Sequence, residues 1–400
     1  MMTDIEKDIA RFATELVRMP STPGQEQAAM DYAFERFSSM DVEVEKIPLS
    51  NAIKDDPDYS SPIKGIEYDG RYNIRVSKKG SKNGTKKLFN AHMDVVPPSE
   101  GMVDPWSGKV EDGVLYGRGA CDDKGSVAAI YGMMRELEAG GFDFPGEIVA
   151  HIVVEEENGG NGSLAMARYG EKADCCVVLE PTDYRLLTSV RGAVWFKIDF
   201  TGKAGHSGQA GKTKSALLMA VEAIDALIKY HADLLASSKG IELFDKYENP
   251  MPITFGKLQA GNWPAAAPDK ATVEGVLGFL PNKAKEDICK EMKETLLGCS
   301  MLDEDNFKLS FTYRHDCSVA DTESEFIASI ISSSSEEGLP IEIDAMPASC
   351  DAWFYNNQLD IPTVVYGPGT LSVAHSKDEQ IKLDEICDAA KVLSRFVKSY

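Results

Sequence analysis

GEIVAHIVVEEENGGNGS, residues 146–163, begins as a buried strand and ends in a crowd of acids. The run Ile148 to Val154 has the length and β-branched content of such a strand. Three consecutive glutamates follow, Glu155, Glu156 and Glu157, then a glycine-rich turn and a helix start at Ser163. Carboxylates crowded at the end of a buried strand repel one another and lose hydration. A multivalent cation offsets both effects. A solvated acidic loop is the rival reading of a glutamate run taken alone, and the rest of the chain decides between them.

Composition narrows the field. With 400 residues, 43% hydrophobic and 26% charged, the chain has the make-up of a soluble globular protein of about two or three domains. The net charge of −22 argues against nucleic acid or an anionic membrane surface as partner. The eight cysteines are irregularly placed and form no C-x-x-C pair, so they read as reduced thiols in a cytoplasmic protein. The start, MMTDIEKDIARFATELVRMP, reads as an amphipathic charged helix without a signal-peptide core. No apolar run approaches membrane-spanning length.

Outward from the glutamates, one pattern repeats. Lys87–Ala91 reads as a strand leading into NAHMDVVPP, where His92 and Asp94 stand two apart in extended chain and share a face. A metal-binding imidazole needs its other ring nitrogen held by a carboxylate or carbonyl, and Asp94 is placed for that. Asp122, in GRGACDDKGS, sits where helical apolar spacing begins, at a position that also suits an N-cap. The strand Cys175–Leu179 ends in Glu180. Ligands of α/β sheets bind at the carboxyl ends of strands, and His92, Asp122, Glu156, Glu157 and Glu180 all fall at or beside such ends. That coincidence favours metal over a solvated loop.

After Arg191 the rhythm changes. VWFKIDFTG alternates as a half-buried strand and leads to a small-residue loop carrying His206. A helix over about 213–237 follows, then strands at 252–260 and 270–280, a helix at 283–297 and a strand at 306–314. This β-α-β-β-α-β order predicts a separate small domain inserted in the first. The large-domain pattern resumes with a helix at 323–336, and ends with the His375 loop and a helix over about 379–398.

Six motifs, NAHMDVVPP, GRGACDDKGS, VVEEENGGNGS, VVLEPTD, FTGKAGHSG and GPGTLSVAHSKDEQI, occur in order. With them the chain resembles, over nearly its whole length, the co-catalytic zinc metallopeptidase family of acetylornithine deacetylase, succinyl-diaminopimelate desuccinylase, aminoacylase and glutamate carboxypeptidase. The resemblance implies an α/β catalytic domain, residues 1–190 and 316–400, with a mixed sheet and helices on both faces. It implies that residues 191–315 form an inserted ferredoxin-like α+β domain serving as lid and dimerisation unit. It further implies two divalent metal ions, zinc or else cobalt or manganese, with His92 and Glu180 on one, Glu157 and His375 on the other, and Asp122 bridging. Asp94 would orient His92, Glu156 would be the general base, and His206 would reach the partner subunit's active site in a homodimer. The implied reaction is hydrolysis of a small N-acyl amino acid, or in the alternative of a dipeptide or a peptide carboxyl end. A non-catalytic relative would usually have lost a ligand or the base, and this chain keeps all of them.

Departures bear on the substrate. Where relatives carry an arginine, this chain has Val276, Leu277 and Gly278, and where they read D-A-R it has Asp351, Ala352 and Trp353. Arg191 is the first substitute for a substrate-carboxylate clamp, and Arg314 a weaker one that reads better as a salt-bridge partner. Cys121 reads as small-residue packing, and His151, His231 and His315 as structural or surface residues.

Overall fold

In the computed structural model, which describes residues 2–209 and 211–400, two sheets carry most of the chain. The larger has nine strands among the described residues. Its order is Glu43–Pro48, Tyr72–Lys79, Pro145–Val153, Lys82–His92, Cys175–Val178, Thr363–Val365, Arg185–Val190 and Ser318–Val319, with Glu342–Met346 also paired to Arg185–Val190. The four central neighbours from Pro145–Val153 to Thr363–Val365 run parallel, and the outer pairs are mostly antiparallel. Central parallel strands are buried on both faces and therefore apolar nearly throughout. In Lys82–His92, Phe89 and Ala91 enter one core and Leu88 the other.

Helices cover both faces. Asp4–Val17, Lys124–Ala139 and Leu383–Ser399 supply Ile9, Phe12, Ile130 and Leu393 to the larger core. Thr3 and Glu6 close a capping box at the first of these, and its buried residues recur at helical spacing. Asn161–Tyr169 and the turn around Phe354 cover the other face.

The second sheet is antiparallel, in the order Ile253–Ala260, Lys270–Phe279, Gly192–Thr201 and Phe307–His315. The helices Ala216–Ser237 and Lys285–Leu297 pack on one face, with Val194, Phe196, Ile198, Met219, Val273 and Ile288 in a core of their own. In Gly192–Thr201 alternate residues are buried, while Trp195, Lys197 and Asp199 stay partly exposed on the opposite face. No helix among the described residues is long and apolar enough to cross a membrane. All eight cysteines are unpaired.

Most element boundaries shift by one to a few residues, and three differences have a clear tertiary cause. The helix expected from 379 begins at Leu383, because Gln380–Lys382 pairs as a strand with Val114–Tyr116. The helix expected from 213 begins at Ala216, after the bridge between Lys203 and Lys214. Arg185–Val190, for which no strand is expected, joins the large sheet between Thr363–Val365 and Ser318–Val319, with Glu342–Met346 also paired to it.

Candidate metal centre

The four parallel strands deliver the site. Lys82–His92 ends in His92, Pro145–Val153 runs on to the three glutamates, Cys175–Val178 runs on to Glu180, and Thr363–Val365 leads into the loop of His375. Neighbouring parallel strands end on one edge of the sheet, so these residues converge there. Asp122 arrives from the loop before helix Lys124–Ala139. The N-cap position falls to Asp123, whose side chain makes no capping bond, so the capping reading of Asp122 does not hold.

Asp122 faces two histidines. His92 Nε2 donates to its Oδ1 at 3.1 Å, and His375 Nε2 lies 3.2 Å from its Oδ2. His375 also donates to Glu157 Oε1 at 2.9 Å. Ligating atoms of His92, Asp122 and Glu157 all lie within 4.8 Å of one another, as do those of His92, Glu156 and Glu180. The two sets share His92. Glu156 thus stands as near to His92 and Glu180 as a ligand would, and spacing alone does not separate base from ligand.

Electrostatics describe a site short of positive charge. Burial, then the charges of Asp351 and Glu157, push the Glu156 pKa well up. Burial, then Glu156 and Asp122, do the same at Glu180. Burial and Asp122 raise Glu157 to about 7, against the pull of His375. Burial would raise Asp122 too, but the hydrogen bonds from His375 and His92 outweigh it and hold that carboxyl well below its usual range. At His92 burial opposes the charge, and Asp122 and Asp94 overcome it and raise the pKa. His375 is raised to about 10 by Asp122 and Glu157. Both imidazoles aim Nε2 at carboxylates. Four carboxylates and two imidazoles are a donor set that fits divalent cations. Cys121 stays outside it, its thiol donating to the Thr370 carbonyl at 3.4 Å.

Supporting residues fix these groups. Asp94 accepts the backbone N–H of Glu156 at 3.2 Å and of Glu157 at 3.1 Å. The His92 Nδ1–H goes to the Asp94 carbonyl at 2.9 Å, with the Asp94 carboxylate farther away at 3.5 Å. The main chain therefore orients the imidazole, and the carboxylate of Asp94 holds the glutamate loop. Asp123 accepts the His92 backbone N–H at 3.2 Å. Glu155 turns away from the site: it accepts from Arg71 at 2.6 Å, Asn158 at 2.8 Å and Tyr68 at 3.0 Å. Its φ of 72° lies in the left-handed region, and these three bonds hold it there.

Two supporting acids escape sequence reasoning. Glu379 collects three backbone N–H groups of the Asp122 loop, although it lies within a quoted motif. Asp351, also buried, accepts Ser163 Oγ at 2.6 Å and leaves Oδ1 without a partner. Burial raises Asp351 to about 7, and its charge in turn raises Glu156. Replacement of the following arginine by Trp353 draws the eye to that segment, but nothing local marks the aspartate itself.

Three candidates stand apart from the cluster. His206 is exposed, on a two-residue strand paired with Ala266–Ala267, and Gly208 N–H donates to its Nδ1 at 3.1 Å. Arg191 donates from Nε to the Pro347 carbonyl at 2.6 Å and from Nη1 to the Gly192 carbonyl at 3.2 Å. Arg314 donates to the Pro57 carbonyl at 2.6 Å, and its bond is to backbone rather than to an acid.

Residues 88–399 match the family model of peptidase family M20/M25/M40. A succinyl-diaminopimelate desuccinylase of Methylobacterium radiotolerans is 31% identical over 231 residues, which cover 54% of this chain and 55% of that protein. The chain thus matches little more than half the length of that relative. A probable carboxypeptidase of Aspergillus terreus is 24% identical over 402 residues, covering 97% of this chain and 85% of that one. The fold is similar to that of an M20 family metallo-carboxypeptidase from Sulfolobus solfataricus, with a TM-score of 0.78, 16% identity and 99% of both chains covered.

Proposed function

Because the chain belongs to the M20/M25/M40 peptidase family, we propose that it is a two-metal amidohydrolase cleaving the amide bond of a small N-acyl amino acid. The family sets the reaction class, hydrolysis of an amide or peptide bond. The observation that carries the two-metal reading is Asp122, with one oxygen toward His92 and the other toward His375. His92 and Glu180 would hold one cation, Glu157 and His375 the other, and Asp122 both. Imidazole and carboxylate donors suit zinc, with cobalt or manganese as alternatives. Such a pair of cations supplies Lewis-acid activation of the attacking water and of the scissile carbonyl.

Glu156 moves the proton. Asp94 fixes its backbone, and burial beside Asp351 and Glu157 raises its affinity for a proton. A carboxylate so tuned takes a proton from the attacking water and returns it to the amine nitrogen as the C–N bond breaks. Arg191 is the proposed clamp for a substrate carboxylate. It is half-buried, desolvation lowers its pKa to about 10, and its two hydrogen bonds go to neutral carbonyls. A half-buried guanidinium bonded only to neutral carbonyls is poised to pair with a ligand carboxylate.

Residues 191–315 serve in this reading as lid and dimerisation unit. Helix Ala216–Ser237 leaves Leu218, Val221 and Ile228 exposed on one stripe, and Ile253–Ala260 ends its sheet with an unpaired edge. A second copy of the chain would cover both. The exposed His206 would then serve the partner's site and stabilise the oxyanion.

A dipeptidase or carboxypeptidase would use the same catalytic residues and differ only in its pocket. A hydrolysis screen of N-acetyl, N-succinyl and dipeptide substrates, with zinc, cobalt or manganese added, separates them. Fastest release from an N-acyl substrate is expected. Faster cleavage of peptides would replace the deacylase reading, and a protein that binds no divalent ion and cleaves nothing would sink both.

A further inference from the structure

The helix-free face of the second sheet carries an aligned row. Thr254, Val276, Trp195 and Tyr313 sit opposite one another across its four strands. The rings of Trp195 and Tyr313 stack, with centroids 5.2 Å apart. Beside the row lies a cavity of about 240 Å³ lined by Pro62, Trp195, Thr254, Gly256, Val276 and Thr312. Its walls are mostly apolar, and Lys257 and Glu274 form an exposed pair at 3.5 Å on its rim. Gly256 leaves it open: a Cβ there would meet nothing within 4 Å. A cavity of about 150 Å³ already holds benzene, so this one has room for a substituted ring.

The row leads to the catalytic loop. Tyr313 donates its hydroxyl to His315 Nδ1 at 2.7 Å, and His315 Nε2–H donates to the Gly159 carbonyl at 3.0 Å. Burial keeps His315 neutral, with a pKa near 3, which leaves one ring proton for these two bonds and fixes their direction. Gly159 N–H in turn donates to the Glu156 carbonyl at 3.1 Å. Ser60, close in sequence to Pro62 on the cavity wall, packs on Gly159, where a Cβ would meet the Ser60 carbonyl at 2.1 Å.

We propose that this cavity is the subsite for an apolar side chain of the substrate, an aromatic ring or branched aliphatic group laid against Trp195. A half-exposed indole in an apolar recess is the usual partner of such a group. The same chemistry can come from an N-acyl amino acid or from a short peptide, and the proposal rests on the amidohydrolase reading only in taking the occupant to be part of the substrate.

Calorimetry on the zinc-loaded Glu156→Gln protein tests it without turnover, with N-acetylphenylalanine and N-acetylglycine as probes and glycylphenylalanine and glycylglycine as a second pair. The phenylalanine member of at least one pair should bind at least about tenfold tighter than its glycine counterpart. Gly256→Leu should abolish that preference and leave glycine-probe binding and zinc content unchanged. Thr254→Phe, at an exposed position, fills the same cavity from another wall and should do the same. No preference, no binding of any probe, or a preference that survives both fillings would overturn the proposal. Failure of the wild-type protein to hydrolyse any amide would overturn the amidohydrolase reading instead, and leaves the calorimetric comparison readable.

Discussion

Glu379 accepts the backbone N–H of Asp122 at 3.0 Å across 257 residues of sequence. The same oxygen takes the N–H groups of Gly119 and Cys121, and the other oxygen pairs with the buried Arg118. One carboxylate thus holds the loop that presents Asp122. Removing one member of a buried ion pair costs about 3–5 kcal/mol. Glu379→Ala should therefore lower stability by that order and weaken metal binding, while Glu379→Gln, which keeps an acceptor oxygen, should lose less of both. Denaturant titration and metal titration read the two effects, and an alanine variant with an unchanged midpoint would refute the role.

The strand ends that build the site are legible in sequence, because largely apolar runs stop at His92, Glu155 and Glu180. Their adjacency is not, since no periodicity places Lys82–His92 between Pro145–Val153 and Cys175–Val178. Glu379 has no local signal that sets it apart from Asp378, an exposed neighbour paired with Lys377. Arg185–Val190 is a strand through pairing with Ser318–Val319, Glu342–Met346 and Thr363–Val365, all far along the chain. The residues from 379 to 382 read as helix until pairing with Val114–Tyr116 overrides the local preference. Which oxygen of Asp122 faces which histidine is tertiary information throughout.

Glu156→Gln should abolish most turnover and leave bound metal nearly unchanged. The carboxylate carries the proton in the proposed reaction, and losing a general base typically lowers kcat by about 10²–10⁴-fold. Because Glu156 also lies within ligand distance of His92 and Glu180, the metal count is the informative control. Loss of one equivalent of metal along with activity would make Glu156 a ligand rather than the base.

Stability of the metal-free protein should fall as pH rises. Burial is the first cause that raises Glu26, Glu157 and Asp351 to about 7. A raised acid keeps its proton when folded over a range where the unfolded chain has lost it, so stability declines from the ordinary carboxylate range up to about 7 and then levels off. His375 acts in the same direction at higher pH: its raised pKa stabilises fully below 6.5 and is lost as pH passes through about 10. Each such acid costs roughly 1.4 kcal/mol of stability per pH unit over which only the folded chain keeps its proton. Protons compete with cations for the same groups, so zinc should raise the Tm more at pH 8 than at pH 5. Thermal unfolding of chelator-treated protein at both values tests this, and greater metal-free stability at pH 8 would contradict it.

Arg71 should be the costliest surface-distant charge to remove outside the site. It reaches Glu26 and Glu155 at 2.6 Å each, and all three side chains are largely buried. Arg71→Met leaves two buried carboxylates without their cation and should lower stability by about 3–5 kcal/mol. Adding Glu26→Gln to that variant should recover part of the loss, because the second carboxylate then brings no charge. Strictly additive effects in a denaturant double-mutant cycle would show that the three do not act as one network.

Association through the second sheet is testable apart from catalysis. Leu218, Val221 and Ile228 are 57%, 44% and 47% exposed on one stripe of Ala216–Ser237, a larger apolar display than a solvated helix needs. Val221→Glu together with Leu218→Glu places charge there without touching the buried face of Met219, Ala220 and Ala223. The wild-type protein should sediment as a dimer and the double variant as a monomer with an unchanged Tm for the metal-binding unit. Activity carries the second half of the argument. If His206 works in the partner's site, the monomer should lose kcat about as severely as His206→Ala does, and mixing His206→Ala with Glu156→Gln protein should restore part of it, since one mixed site then holds an intact Glu156 and an intact His206. A monomer as active as wild type would confine each site to its own chain and remove His206 from the mechanism.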